Sequence, residues 1–186
     1  MSGPFAPGDR VTAAKKEYAV LKLLGRGKGG YSYLAEDENG RRVVLKQIHH
    51  EPCSYYTFGD KLAAELNDYD RLRAAGVRVP ELLAFDRAGE RLVKEYVDGP
   101  TVFELVRDGA DVAPCLEQVR AMAEKAKAAG LNVDYFPTNF VVSGGLLWYI
   151  DYECNAYMDR WNFENWGLRY WSRTPEFLEY LHGRQA

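Results

Sequence analysis

Three side chains in the last third of the chain have the types and spacing that phosphoryl transfer requires. Asp134 and Asn139 lie five residues apart in the segment Asp-Tyr-Phe-Pro-Thr-Asn, and Asp151 follows twelve residues later. A carboxylate such as Asp134 can accept the proton of an acceptor hydroxyl, and the oxygens of Asn139 and Asp151 are hard donors that suit Mg²⁺. The pattern predicts Mg²⁺-dependent transfer from ATP. Asp and Asn residues that merely cap turns are the alternative.

The segments around these residues are expected to bring two of them together. Residues 140–142 and 146–150 are apolar and flank Ser-Gly-Gly, a pattern that predicts a β-hairpin. A hairpin returns the chain to its starting point, so Asp151 is expected beside Asn139.

A glycine-rich segment, residues 25–30, lies between two predicted strands at 18–24 and 31–36. A dinucleotide site would need a helix after the glycines, whereas this order favours a flexible turn over a triphosphate. Glycine lets main-chain N–H groups approach phosphate oxygens closely. An ordinary hairpin turn is the alternative. The residues predicted to bind the cofactor here are Gly25, Gly27, Lys28, Gly29 and Gly30.

A lysine in the third predicted strand is a second candidate for phosphate binding. Lys46 follows Val-Val-Leu within residues 42–48. A charged group among apolar neighbours needs an anionic partner, because an unpaired buried charge is costly. The alternative is a strand-edge lysine whose ammonium group reaches water.

Composition narrows the class of protein. The chain has 186 residues, a formal charge of −3 and 47% hydrophobic residues. This composition suits a globular domain, and the net charge gives no overall basic footprint, so nucleic acid is not expected as a partner. The cysteines, Cys53, Cys115 and Cys154, have no metal-site spacing and are expected to be ordinary thiols. No signal peptide or membrane span is predicted, so we expect a cytoplasmic protein without a membrane partner.

In this order the motifs resemble those of the protein-kinase-like superfamily, over residues 18–155. They are most similar to RIO-type kinases and to aminoglycoside and choline phosphotransferases. The resemblance implies an α+β, bilobal fold with an antiparallel-sheet N-lobe and a truncated, mainly helical C-lobe. The N-lobe would be residues 1–97, with a five-stranded sheet and one helix, and the C-lobe residues 98–186.

The resemblance also implies roles for individual residues. Asp134 would be the catalytic aspartate, and Asn139 and Asp151 would bind Mg²⁺. Lys46 would contact the ATP phosphates and pair with Glu65, which lies in a predicted helix. That helix spans residues 58–75, and a solvated helix glutamate is the alternative for Glu65. The exposed main chain of the segment Glu95, Tyr96 and Val97 would bind adenine.

Several positions differ from the superfamily pattern, among them two in the segment 132–136. Asn132 stands where a histidine is usual, and Phe136 stands where Ser/Thr kinases commonly have a lysine. The acceptor is therefore open, and either a protein Ser/Thr hydroxyl or a small hydroxyl-bearing molecule fits. A catalytically weak pseudokinase that acts as a nucleotide-binding signalling module is the alternative function.

Aromatic residues are concentrated near the C-terminus, where residues 159–182 are predicted to be helical with a break at Pro175. The rings are expected to fill the small C-lobe, with a cage for a cationic acceptor as the alternative. Exposed rings would make an oligomer plausible.

Overall fold

The computed structural model describes residues 4–51 and 59–183 of the 186. Cys53 and the predicted helix start at Phe58 lie outside the described residues. The chain forms two compact units. The first unit is Met1–Leu66 with Pro80–Tyr96, and the second unit is Asn67–Val79 with Val97–Ala186. The expected division between residues 97 and 98 stays a prediction.

The first unit is built on one antiparallel sheet of six strands in the order β1-β2-β3-β4-β6-β5. Its strands are β1 (Arg10–Ala13), β2 (Lys16–Arg26), β3 (Gly30–Glu36), β4 (Arg42–Ile48), β5 (Leu82–Asp86) and β6 (Arg91–Glu95). The expectation of five strands is wrong, because β1 precedes the first predicted strand, at residues 18–24, and adds a sixth. Ala14 and Lys15 both have positive φ, which makes the two-residue turn that pairs β1 with β2.

The sheet buries apolar side chains on both of its faces. Tyr33 and Leu45 are fully buried on one face, and they pair directly across β3 and β4. Helix α1 (Lys61–Ala74) follows β4 in the chain, and Leu62 of α1 packs with Ile48 and Leu92 on the other face. These apolar contacts hold the start of α1 against β4 and β6.

In its described residues, the second unit contains the end of α1, three further α-helices and four short strands. The further helices and the strands are α2 (Val102–Arg107), α3 (Ala113–Ala128), α4 (Pro175–Gly183), β7 (Leu131–Val133), β8 (Phe140–Ser143), β9 (Leu146–Tyr149) and β10 (Cys154–Ala156). Strands β8 and β9 form the predicted hairpin, and β10 pairs with β7. The α+β class, with an antiparallel sheet and a small helical part, is confirmed.

The C-terminal segment differs from the expectation of a helix over residues 159–182. It has two single 3₁₀ turns, Asp159–Trp161 and Gly167–Tyr170, before α4 begins at Pro175. Proline suits the first turn of a helix because it has no N–H to lose. Pro175 therefore begins a helix rather than breaking one.

Among residues 4–51 and 59–183, no helix is both long enough and apolar enough to cross a bilayer.

Candidate functional site

The glycine-rich segment of the first unit makes a shorter turn than predicted. Strand β2 continues through Gly25 to Arg26 and β3 begins at Gly30, so the glycine turn consists of residues 27–29. The Gly27 N–H donates to the Gly30 carbonyl at 2.9 Å. A Cβ on Gly30 would lie 2.4 Å from the Gln47 carbonyl oxygen. Glycine is therefore required at residue 30 for β3 to lie this close to β4.

Lys46 and Glu65 form an ion pair in the first unit. Lys46 Nζ, on β4, lies 2.5 Å from Glu65 Oε1, on α1, and the side chains are 12% and 13% exposed. The other carboxylate oxygen, Glu65 Oε2, is buried and has no hydrogen-bond partner among the described residues. A buried polar atom without a partner is costly, so the pair has capacity for a further polar group. The catalytic roles of both residues stay predictions.

The glycine turn lies directly against this ion pair. A Cβ built on Gly29 would lie 3.1 Å from Glu65 Oε1 and 3.4 Å from Lys46 Nζ. A side chain at residue 29 would therefore press on the Glu65 carboxylate oxygen, and glycine avoids this contact. The ammonium group of Lys46 is the donor in this region that suits a phosphate oxygen, and the phosphate-binding role of Lys46 and of the turn stays a prediction.

In the second unit, the loop after β7 holds the other candidate residues. Here the Asp134 loop means residues 134–139. The Phe136 N–H donates to Asp134 Oδ1 at 3.1 Å, and Asn139 Nδ2 donates to the Asp134 carbonyl at 3.3 Å. These two bonds fix the orientation of the Asp134 carboxylate and of the Asn139 amide.

The β8–β9 hairpin returns the chain to Asn139. The Ile150 N–H donates to the Asn139 carbonyl at 2.9 Å, so Asp151 follows the residue that is bonded to Asn139. Asp151 Oδ1 accepts the Tyr152 N–H at 2.8 Å. Their amide and carboxylate oxygens are a donor set that fits Mg²⁺, although the metal role of both residues stays a prediction.

The charges of both carboxylates affect the hydroxyl of a buried tyrosine. Tyr149 is fully buried; its hydroxyl accepts the Asp134 N–H at 3.3 Å and donates to the Glu153 carbonyl at 2.7 Å. Burial, and then the charges of Asp151 and Asp134, raise the pKa of Tyr149 well above its ordinary value. Asp134 and Asp151 therefore act electrostatically on one hydroxyl, although they are seventeen residues apart in the sequence.

In the described ranges 4–51 and 59–183, no cluster of three or more His, Cys, Asp or Glu side chains could hold a metal ion.

Aromatic rings anchor the Asp134 loop. Tyr135 is 1% exposed, and the fully buried Trp171 donates its indole N–H to the Tyr135 carbonyl at 2.8 Å. Phe136 is surrounded by rings with centroids 4.7–6.4 Å away, those of Phe103, Trp166, Tyr170 and Tyr180. Phe136 therefore stands at a packing position.

Sequence reasoning missed three side chains that contact the glycine turn or its flanking residues: His49, Glu51 and Lys61. Only Lys61 gave a signal in the sequence, since it directly precedes Leu62 at the start of an apolar helix face. In the structure it is 6% exposed.

The predicted adenine-binding segment lies at the end of β6. Glu95 ends β6 and Tyr96 and Val97 follow it, and their adenine-binding role stays a prediction.

Known proteins are similar to this chain in sequence and in structure. The chain is 32% identical over 93 residues to the serine/threonine-protein kinase PknA of Nostoc sp. (strain PCC 7120), a match that covers 46% of this chain. It is similar to the solved structure of the BubR1 kinase domain with a TM-score of 0.59 and 15% identity. That match covers 79% of this chain and 49% of the BubR1 chain, and it confirms the fold.

The matches are partial. The chain spans 16% of the length of the Nostoc protein. No protein-family model matches the chain.

Proposed function

We propose that this chain, which belongs to the protein-kinase-like superfamily, is an ATP- and Mg²⁺-dependent phosphotransferase that acts on an acceptor hydroxyl. The observation that carries the proposal is the Lys46–Glu65 ion pair beneath Gly29. Removing two charges from water is costly, and a turn without a side chain directly above them leaves room for an anionic ligand. A purely structural ion pair does not need a glycine directly against it.

The residues of the first unit would bind the nucleotide. Lys46 would neutralise phosphate charge, with Glu65 holding its ammonium group in place, and the amides of the glycine turn would donate to phosphate oxygens. Mg-ATP supplies the activated phosphoryl group. The main chain of residues 95–97 would bind the adenine edge.

The residues of the second unit would bind the metal and align the acceptor. Asn139 and Asp151 would offer oxygens to Mg²⁺. Asp134 would accept the proton of the acceptor hydroxyl, with its carboxylate oriented by the Phe136 N–H. The fixed orientation supports this role, because a general base must hold one geometry.

The decisive experiment follows label from γ-labelled ATP into protein and into metabolite fractions of a cell extract. Transfer by the parent should need Mg²⁺ and disappear with EDTA. Asp134→Asn should lower transfer by about 10²–10⁴-fold while Mg-ATP binding is retained, and Asp108→Asn, an exposed site in the same unit, should leave transfer unchanged. Equal transfer by Asp134→Asn and the parent would show that Asp134 does not accept the proton of the acceptor hydroxyl. The fraction that acquires label identifies the acceptor as a protein or a small molecule.

A second candidate is a nucleotide-binding module that does not transfer phosphate. The ring packing of Phe136 favours it, because no cation stands at that position to steady the γ-phosphate. Mg-ATP binding by the parent without label in any fraction would select this candidate.

A further inference from the structure

The segment after β4 reaches back to the glycine turn. His49 Nε2 lies 3.0 Å from the Gly27 carbonyl oxygen, and the Glu51 N–H donates to His49 Nδ1 at 3.2 Å. A carbonyl only accepts, so the ring proton is on Nε2 and Nδ1 is the acceptor. One neutral tautomer of His49 therefore satisfies both contacts.

A buried lysine makes the next contact with the turn. Lys61, the first residue of α1, is 6% exposed. Its ammonium group donates to the Lys28 carbonyl at 3.3 Å and also to the His49 carbonyl. It therefore joins the turn to the end of β4 through two carbonyls that lie 21 positions apart in the chain.

Side chains at both ends of the turn add to these contacts. Glu51 forms an ion pair with Arg26, the last residue of β2, and accepts a hydrogen bond from the Tyr31 hydroxyl at 2.5 Å. The Tyr31 and His49 rings lie 5.2 Å apart. The residues before, within and after the turn are thus all bonded to the segment 49–51 or to the start of α1.

These contacts set the position of the turn. The carbonyls of Gly27 and Lys28 are both occupied as acceptors, while Gly29 faces the Lys46–Glu65 pair. A glycine-rich turn without such contacts opens at small cost, because it buries little apolar surface. A turn that is already in place before a ligand arrives loses less conformational entropy on binding.

We propose that His49 and Lys61 are positioning residues that hold the glycine turn against the Lys46–Glu65 pair and thereby set the affinity for Mg-ATP. The inference rests on the proposed function, since it concerns the same nucleotide. Neither residue touches the nucleotide in this proposal; both act through the turn.

Two substitutions remove the contacts while keeping size. His49→Phe retains the ring beside Tyr31 but has no donor for the Gly27 carbonyl. Lys61→Met retains the apolar stem but has no ammonium group. His49→Gln has a side-chain N–H again. It should restore part of the hydrogen-exchange protection and of the Mg-ATP affinity that His49→Phe loses. His182→Phe, at an exposed position in α4, is the matched control.

The first measurement needs no nucleotide. Hydrogen exchange of peptides covering residues 26–31 should be about fivefold faster in His49→Phe and in Lys61→Met than in the parent, as expected for one lost hydrogen bond. Exchange over β4 and β6 should be unchanged, which verifies that the sheet is folded. Unchanged exchange at residues 26–31 in both variants would overturn the proposal.

The second measurement is the dissociation constant of Mg-ATP. We expect it to rise about fivefold in both variants, and the KM for ATP likewise, with kcat within about twofold of the parent. Faster exchange with unchanged affinity would overturn the inference, because the turn would then not set binding. If the parent binds no Mg-ATP, the proposed function fails and the affinity part of the inference fails with it. The exchange result then still decides whether His49 and Lys61 hold the turn.

Discussion

The glycine turn and the Asp134 loop both present candidate functional groups, but different kinds of contact hold them. Polar groups surround the turn: two carbonyls accept from His49 and Lys61, and Arg26 pairs with Glu51. The loop is held by burial, with Tyr135 1% exposed and Trp171 0% exposed. Hydrogen bonds exchange with water at small net cost, whereas buried rings lose large apolar contacts when they move. We therefore expect the glycine turn to open more readily than the Asp134 loop.

Removal of the ring beneath the Asp134 loop should have the largest effect on stability. Trp171→Ala deletes a buried indole that contacts Phe140 and Phe163 and donates to the Tyr135 carbonyl. We expect a loss of about 3–5 kcal/mol in the free energy of unfolding, measured by urea denaturation with circular dichroism. Trp161→Ala, at a 44% exposed ring, should cost less than about 1 kcal/mol. Equal losses would show that burial does not hold the loop.

Breaking the ion pair below the glycine turn should have the next largest effect. Lys46→Met leaves the mostly buried Glu65 carboxylate without its cation, which should cost about 3 kcal/mol. Replacing both residues, as Lys46→Met with Glu65→Leu, should return stability to within about 1 kcal/mol of the parent, again by urea denaturation. A double variant as unstable as the single one would mean that the lysine stabilises through other contacts. Neither variant should bind Mg-ATP as the parent does.

Alanine at Gly27, the first residue of the turn, and at Gly30, the residue just after it, should change stability in opposite directions. Gly30→Ala puts a methyl group 2.4 Å from the Gln47 carbonyl oxygen, so the strands must separate at a cost of about 1–3 kcal/mol. A Cβ on Gly27 meets no atom within 4 Å, so Gly27→Ala should raise stability by about 0.5 kcal/mol. Thermal unfolding checks both. Equal destabilisation would mean that the turn has a conformation that alanine cannot adopt.

Acid should loosen the turn slightly through Glu51. The hydrogen bond from Tyr31, with the charge of Arg26 adding to it, lowers the Glu51 pKa from its ordinary value of 4.5. Because the folded-state pKa is the lower one, the contribution of ionised Glu51 is fully present above pH 4.5 and is lost as the pH falls through the folded value. Amide NMR shifts of residues 26–31 should therefore titrate below pH 4.5.

Glu51→Gln is the control for this titration, since glutamine keeps the size of the side chain but does not ionise. The amide shifts of residues 26–31 should be flat with pH in this variant. A titration that persists in Glu51→Gln would assign the acid response to another group.

Much of the local order could be predicted from the residues alone. The glycines between two apolar strands indicated the turn, and the paired apolar runs around Ser-Gly-Gly indicated the β8–β9 hairpin. These patterns depend on neighbours within a few residues, which the sequence displays directly. The hairpin also explains why Asp151 could be expected beside Asn139.

The errors have a common physical origin. Strand β1 was missed because its four residues lie among glycine, proline and charge, and only pairing with β2 makes them a strand. The helix expected over residues 159–182 is α-helical only from Pro175 onward, because the rings of the preceding residues pack on Tyr135 and Phe136. In both places, distant contacts outweighed local propensity.

By itself, the sequence determined the glycine turn, the hairpin and the identity of the polar side chains, because each depends on short-range spacing. Only the tertiary structure decided which of those side chains meet. It brought Lys46 within 2.5 Å of Glu65, set His49 and Lys61 on the turn, and buried Trp171 beneath Tyr135. Contacts between residues far apart in the chain depend on how the apolar faces pack, and that packing involves the whole domain.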